Sequence, residues 1–133
     1  MISEVTEKIL SSYKTIAVVG LSKSPEKDSH KVSSYMQNAG YRIIPVNPTA
    51  DEILGEKAYK NLRDIPDVVN IFRPSAEAGG IVDAAVEIDA KAVWMQLGIF
   101  DEAAAKKAAG AGLDVVMDLC IMTEHRRLKK WSK

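Results

Sequence analysis

The sequence is poor in cysteine and carries no net charge, and both features exclude classes of protein. Its 133 residues include one cysteine, Cys120, and 18 basic residues against 18 acidic ones. One cysteine cannot form an internal disulfide, which fits a reducing compartment. A chain without net charge has no overall field to recruit nucleic acid or an anionic membrane, so any phosphate binding must be local.

Long apolar runs and metal-ligand clusters are also missing. No apolar run approaches the ~20 residues of a membrane span, and the N-terminus lacks the regions of a signal peptide. The two histidines and the cysteine are scattered, which gives neither metal-ligand spacing nor an evident base for a nucleophile. We therefore expect one cytoplasmic domain over residues 1–133, with no metal site and no catalytic residue, and no nucleic-acid or membrane partner.

Strand and helix patterns alternate along the whole chain. Apolar runs predict five strands, over 15–19, 42–46, 68–72, 91–95 and 113–117. Amphipathic patterns predict helices over about 2–13, from about 30 to 39, up to about 88, from 101 to about 110 and over about 122–131. This alternation predicts an α/β fold: a three-layer, doubly wound, parallel five-stranded sheet of the Rossmann-like type.

Several local features qualify this prediction. Pro45 cannot donate a ladder hydrogen bond, so its strand is expected to have one poorly paired side or to end early. Asp28 or Ser29 is expected to cap the helix that follows the first strand. Gly79 and Gly80 predict a loose first turn in the third helix, because each costs about 1 kcal/mol relative to alanine.

Two segments have weaker patterns. Residues 49–66 lack a clear period; Gly55 predicts a turn there, and the length of the segment predicts a short helical turn near Asn61 to Asp64. The basic stretch His125–Lys130 near the C-terminus is expected to be a solvated helix face.

The first strand and the turn after it organise the rest of the chain. The run Thr15–Val19 ends in Gly20 and is followed by Ser22 and Lys23. A strand, a glycine turn and the N-terminus of a helix together make a phosphate site, because unpaired amide groups and the helix dipole point the same way. A plain turn that binds nothing is the alternative.

Chemically active side chains recur at the ends of the other strands. In a doubly wound sheet, ligands bind beyond the carboxyl ends of the strands. Two cations, two amides, a hydroxyl and a thiol are expected at that edge, in a combination that ordinary turns do not require. They lie within Gly20–Lys23, Val46–Pro48, Phe72–Pro74, Gln96–Gly98 and Asp118–Cys120.

Two common nucleotide motifs do not fit. The turn Gly20–Lys23 lacks the remaining glycines of the dinucleotide fingerprint, and Pro45–Pro48 stands where NAD proteins place an acid. No glycine immediately precedes Lys23, which excludes a P-loop. NADP binding, with Arg73 on the 2′-phosphate, stays open as an alternative.

Five motifs in this order resemble the stand-alone CoA-binding proteins. These are small Rossmann-like domains similar to the N-terminal domain of the succinyl-CoA synthetase α subunit. The motifs are Val-Val-Gly-Leu-Ser (18–22), Pro-Val-Asn-Pro (45–48), Phe-Arg-Pro (72–74), Trp-Met-Gln-Leu-Gly (94–98) and Val-Met-Asp-Leu-Cys (116–120). The resemblance covers nearly the whole chain, from about residue 10 to about residue 128.

The resemblance implies a site for coenzyme A or an acyl-CoA. Ser22 and Lys23 would hold the diphosphate, residues 46–48 would flank the adenosine, and Arg73 would pair with its phosphates. Residues 95–98 would line the pantetheine arm. The site residues so implied are Gly20, Leu21, Ser22, Lys23, Val46, Asn47, Pro48, Phe72, Arg73, Met95, Gln96, Leu97, Gly98 and Cys120.

The chain departs from the synthetase in two ways. Thr49 and Ala50 stand where that subunit has a lysine, and the second domain with its phosphohistidine loop is absent, which removes the case for ligase activity. We therefore expect a non-catalytic carrier, sensor or accessory module. A small CoA-dependent enzyme that uses Cys120 or a partner subunit stays open, as does a homodimer.

Plainer roles stay open for single side chains too. Lys23 could be merely solvated, and Arg73 could pair with an acid on a neighbouring loop. Cys120 could be a small buried hydrophobe.

Overall fold

The computed structural model describes residues 2–62 and 66–131 as an alternation of strands and helices. The elements are α1 Glu4–Ser12, β1 Thr15–Val19, α2 Asp28–Asn38, β2 Arg42–Val46, β3 Glu52–Ile53, β4 Glu56–Lys57, β5 Val68–Ile71, α3 Ser75–Glu87, β6 Ala92–Met95, α4 Glu102–Gly110, β7 Asp114–Val116 and α5 Ile121–Trp131.

Five of the strands form one parallel sheet in the order β2-β1-β5-β6-β7. The chain steps from β1 outward to β2, then crosses to β5 on the other side of β1 and continues outward to β7. This confirms the predicted doubly wound α/β sheet. Strand order reverses between β1 and β5, which is where ligands bind in sheets of this kind.

Helices cover both faces of the sheet and give two apolar cores. On one face, α1, α2 and α5 enclose a cluster that includes Trp94, which is fully buried. On the other face, α3 and α4 pack over β5, β6 and β7. The ends of β1 and β2 stay open on this second face, where Val19 and Val46 line a cleft. Within the described ranges, none of the helices combines the length and apolarity that crossing a membrane requires.

Strand β2 has one side that is not paired with a sheet strand, as Pro45 predicts, but it does not end early. The strand has the predicted length and pairs only with β1 in the sheet, with Pro45 opposite Val18. On its open side, Tyr59 donates its amide hydrogen to the Pro45 carbonyl at 3.0 Å, and Asn47 donates its own to the Tyr59 carbonyl at 2.8 Å. Pro45 therefore marks an edge strand and does not shorten it.

The hairpin of β3 and β4 precedes Tyr59 and was not predicted. Leu54 and Gly55 form its two-residue turn with φ angles of 55° and 76°, which is the pattern of a type I′ turn. The turn at Gly55 is confirmed. The helical turn expected near Asn61 to Asp64 falls largely on residues 63–65, which lie outside the described residues.

The start of α2 corrects the predicted cap. Lys27 occupies the N-cap position without a side-chain hydrogen bond, and Asp28 is already helical. Ser29 is buried, and its Oγ accepts a hydrogen bond from the Ser22 amide at 3.0 Å. The hydroxyl therefore holds the loop after β1 against α2. The loose first turn expected in α3 is also wrong, because that element is helical from Ser75 through both glycines.

The C-terminal helix is less solvated than predicted, because His125 is only 8% exposed. Its Nδ1 lies 2.8 Å from the Tyr35 hydroxyl, and its ring meets the rings of Tyr35 and Tyr41 edge-on. Burial lowers the pKa of His125 below the ordinary value of 6.5, and the charges of Lys129 and Lys14 lower it further. The neutral imidazole is therefore the form that the fold favours.

This burial predicts a loss of stability on mild acidification. Below the ordinary pKa of 6.5 the unfolded chain binds a proton at His125 that the folded chain resists, so the free energy of unfolding falls with pH and levels off below the folded pKa. Urea denaturation at about pH 7.5 and about pH 5.5 should show a smaller decrease for His125→Gln than for the unchanged protein. Equal decreases would contradict a depressed pKa.

The turn at Gly20 brings the loops after β1 and β5 into close contact. Its φ angle is 93°, and a Cβ there would lie 2.8 Å from Cδ of Arg73 and 2.9 Å from the carbonyl oxygen of Phe72. Both the backbone conformation and the lack of space therefore require glycine. The aliphatic stem of Arg73 occupies the room that a side chain at position 20 would need.

Gly20→Ala should destabilise the fold by about 2 kcal/mol or more, because it combines a left-handed backbone with a backbone contact that cannot relax. Gly80→Ala is the matched control. A Cβ at Gly80 would meet no described atom within 4 Å, so this helical substitution should stabilise by up to about 1 kcal/mol. Chemical denaturation of the two variants should give changes of opposite sign. Equal changes would show that Gly20 carries no special constraint.

Candidate functional site

A cleft opens at the carboxyl ends of β1 and β2, beside the point where strand order reverses. It has two adjoining parts of about 490 Å³ each, and Val19, Val46, Lys60, Glu77 and Ile81 line both. The first part is bordered by the strand-end loops, through Gly20, Ser22, Asn47, Pro48, Thr49 and Arg73. The second extends along α3 and adds Asn61, Leu62, Ala76, Gly80 and Ala84. The cleft therefore joins a polar end to a more apolar slot.

Asn47 connects the loops that border the polar end. Its Nδ2 donates to the carbonyl of Leu21 at 2.9 Å. Its Oδ1 accepts from the amides of Thr49 and Ala50 at 2.8 and 3.1 Å, and from the Thr49 hydroxyl at 3.1 Å. Asn47 thus lies in the cleft as predicted, but its amide oxygen and nitrogen both hold the backbone in place.

Arg73 reaches the cleft as predicted, and it carries a partner there. Its Nε donates to Oε1 of Glu77 at 3.1 Å, and its Nη2 donates to Oε2 at 2.8 Å. The acid lies one turn along α3, not on the neighbouring loop considered from the sequence. The ion pair raises the pKa of Arg73 and lowers that of Glu77. A guanidinium has five N–H donors, so three of them have no acceptor among the described residues.

The two residues predicted to hold a diphosphate are placed differently. Ser22 lines the cleft, and its Oγ accepts from the Ser24 amide at 3.1 Å. Lys23 is exposed and is not among the residues that line the cleft. Lys60 lines both parts of the cleft. Sequence reasoning missed Lys60, because in the sequence it does not directly follow any of the five sheet strands.

A smaller recess of about 220 Å³ lies at the ends of β5 and β6, against the starts of α2 and α5. It is lined by Asp28, Val32, Phe72, Gln96, Leu97, Cys120 and Met122. Phe72 in the recess and Arg73 in the cleft are consecutive residues, so a single backbone segment borders both spaces. The recess brings Gln96 and Leu97, which are predicted to line a pantetheine arm, next to the predicted site residue Cys120.

Gln96 holds a buried position in this recess and is only 3% exposed. Its Oε1 accepts from the Ile121 amide at 2.9 Å, which satisfies a free N–H group at the start of α5. Its Nε2 has no acceptor among the described residues. Leu97 beside it is 70% exposed. The amide of Gly98 donates to Oδ1 of Asp118 at 2.7 Å and is therefore already engaged.

Two predicted site residues contribute no side chain to the cleft or the recess. Leu21 and Met95 are fully buried, so their side chains lie in the two cores and face neither the cleft nor the recess. Only their main chains reach the strand ends, where the Leu21 carbonyl already accepts from Asn47. Cys120, by contrast, is partly exposed and lines the recess, so it is not a fully buried hydrophobe.

Comparison with known proteins agrees with this architecture. Residues 14–126 match the model of the CoA binding domain family. The uncharacterised protein YneT of Bacillus subtilis is 48% identical over 122 residues, which are 90% of each chain. A solved structure, a hypothetical protein from Pyrococcus horikoshii, superposes with a TM-score of 0.89 at 40% identity and covers 95% of this chain and 91% of that one.

An ADP-forming acetate–CoA ligase of Methanocaldococcus jannaschii is also similar, at 33% identity over 64 residues. The match takes in 48% of this chain but only 9% of the ligase. With a family model that spans most of the chain and a relative that is similar along nearly its full length, this chain belongs to the CoA binding domain family.

Proposed function

We propose that this protein binds coenzyme A or an acyl-CoA and acts as a non-catalytic carrier, sensor or accessory module. The observation that carries the proposal is the cleft at the switch point, which joins the free edge of the Arg73 guanidinium to an apolar slot. A nucleotide with charged phosphates and a flat base needs both of these features.

The phosphates are assigned to the polar end of the cleft. Arg73 and Lys60 contribute two positive charges there against one negative charge from Glu77. Arg73 lies over Gly20, and Glu77 holds its guanidinium by two hydrogen bonds. The group is therefore oriented before a ligand arrives, which lowers the entropy that binding must overcome. A planar guanidinium fits phosphate oxygens better than a single point charge.

The adenine base is assigned to the apolar slot. Val19, Val46 and Ile81 line it, and Leu62 adds a further apolar wall. Pro48 also lines the polar part of the cleft, and its pyrrolidine ring adds apolar surface for the base. Apolar walls with a few fixed polar groups are the usual lining of small-molecule sites.

The pantetheine arm is assigned to the path from the cleft to the recess. Phe72 leads from one to the other, and the free Nε2 of Gln96 offers a donor to an amide carbonyl. β1 and β6 are two strand spacings apart, about 10 Å. The arm is about as long as four extended residues, roughly 13 Å, and spans that distance.

A non-catalytic role is supported by how the polar groups of the cleft are used. Both ends of the Asn47 amide hold backbone groups. The ion pair with Arg73 lowers the pKa of Glu77, which makes this carboxylate a weak general base at neutral pH.

A panel of nucleotides tests the ligand. A ligand at a hundred times its dissociation constant should stabilise the fold by roughly 2.7 kcal/mol. Thermal unfolding with CoA, dephospho-CoA, NAD and NADP at equal concentration should show the largest upward shift with CoA. A larger shift with NAD or NADP would replace CoA by a nicotinamide nucleotide in the proposal.

Glutamine substitutions at the cleft test which cations meet the phosphates. Arg73→Gln should weaken CoA binding about tenfold or more, because a charge-assisted contact contributes on the order of 1.5–3 kcal/mol. Lys60→Gln should weaken it by less. Arg42→Gln is the matched control, since Arg42 is the first residue of β2 and lies at the amino end of the strand, away from the cleft at its carboxyl end. Isothermal titration calorimetry measures the three affinities.

Lys23→Gln tests whether the phosphates lie in the cleft or at Lys23, where the sequence motif predicts them. Because Lys23 does not line the cleft, its loss should change affinity less than the loss of Lys60. A larger effect at Lys23, or an unchanged affinity for Arg73→Gln, would place the phosphates outside this cleft.

A further inference from the structure

Cys120 lies in the recess with its backbone held on both sides. The Leu119 carbonyl accepts from Nε1 of Trp94 at 2.8 Å, and the Leu119 amide donates to the Met95 carbonyl at 3.4 Å. The Cys120 carbonyl accepts from the Glu124 amide at 3.0 Å in the first turn of α5. The thiol is thus attached to a fixed point between β6 and α5, and its residue is partly open to solvent.

Gln96 independently indicates that the recess takes a ligand. It is only 3% exposed, and its Oε1 is fixed by the Ile121 amide. This bond defines which end of the amide is which, so Nε2 is the end left without an acceptor among the described residues. An N–H donor on a residue that lines the recess, with no acceptor in the described part of the protein, is available to the carbonyl of a bound molecule. The recess therefore suits an amide-bearing chain that passes close to Cys120.

We propose that Cys120 is a modification site, at which CoA disulfide leaves one CoA attached to the protein as a mixed disulfide. This inference rests on the proposed binding of CoA, because the nucleotide half must occupy the cleft for its sulfur to reach the recess. Leu97 at the recess is 70% exposed, which leaves the second half of the disulfide free to extend into solvent.

The reaction is a thiol–disulfide exchange and needs no other oxidant. Cys120 loses its proton, and its thiolate attacks one sulfur of CoA disulfide. The sulfur–sulfur bond of CoA disulfide breaks as the bond between Cys120 Sγ and one CoA forms. The other CoA leaves as a thiolate and takes up a proton. One disulfide is consumed and one is formed, so electrons balance.

The test compares CoA disulfide with glutathione disulfide. The reduced protein is mixed with each at equal concentration, and intact-mass spectrometry follows the adduct over time. The CoA adduct should form at least about tenfold faster than the glutathione adduct, because binding raises the local concentration of the reactant. Desulfo-CoA, which carries no thiol, should suppress this preference, and Cys120→Ser should form no adduct.

Gln96→Glu tests the recess itself. Glutamate keeps an acceptor for the Ile121 amide and removes the free donor, so the ratio of the two rates should fall several-fold. Gln37→Glu is the matched control, because it is the same substitution at a glutamine outside the recess. The Nε2 of Gln37 donates to the carbonyl of Leu54, in the hairpin turn. That variant should keep the ratio of the unchanged protein.

Calorimetry of reduced CoA with Cys120→Ser separates this inference from the proposed function. If CoA binds while the two disulfides react equally fast, the modification is wrong and reversible binding stands. If CoA does not bind and the rates are equal, both are wrong. A preference for CoA disulfide that desulfo-CoA cannot suppress would also overturn the inference, because the reaction would then not use the cleft.

Discussion

The side-chain amide of Asn47 holds together the two loops that border the polar end of the cleft. It lies between the carbonyl of Leu21 on one loop and the amides of Thr49 and Ala50 on the other. A hydrogen-bonding side chain with both a donor and an acceptor is needed here, since the loop after β1 offers a carbonyl and the loop after β2 offers N–H groups. The cleft is consequently a property of the fold, and the ligand does not have to assemble it.

The five sheet strands could be predicted within one residue at each end, because each contains an apolar run, and β5 and β6 are buried at every position. The hairpin of β3 and β4 has no such pattern, since Ile53 is the one buried residue in its four strand positions. Gly55 gave the signal for its turn, but not for strands of two residues. The predicted cap of α2 was wrong for a related reason. Serine is a common N-cap residue, but the hydroxyl of Ser29 accepts a hydrogen bond from the amide of Ser22, in the loop after β1.

The strand-end rule predicted the edge of the sheet where the cleft opens, but not which side chains face the cleft. In a sheet covered on both faces, alternation gives no sign of exposure, so Leu21 and Met95 were included with their neighbours although both are buried. Lys60 was missed because a single bridge between Tyr59 and Val46 brings it to the cleft. A contact made by one residue pair leaves no periodic trace in the sequence.

That bridge has another consequence. An edge strand presents unpaired backbone groups that invite pairing with another chain. Tyr59 occupies those of Pro45 and Asn47, so the segment that leads to the cleft wall also shields the sheet from association with other molecules. A segment that must shield an edge cannot swing freely as a lid, because each opening would expose that edge. Access to the cleft is therefore tied to resistance to aggregation, and mutations that loosen Tyr59 would affect both together.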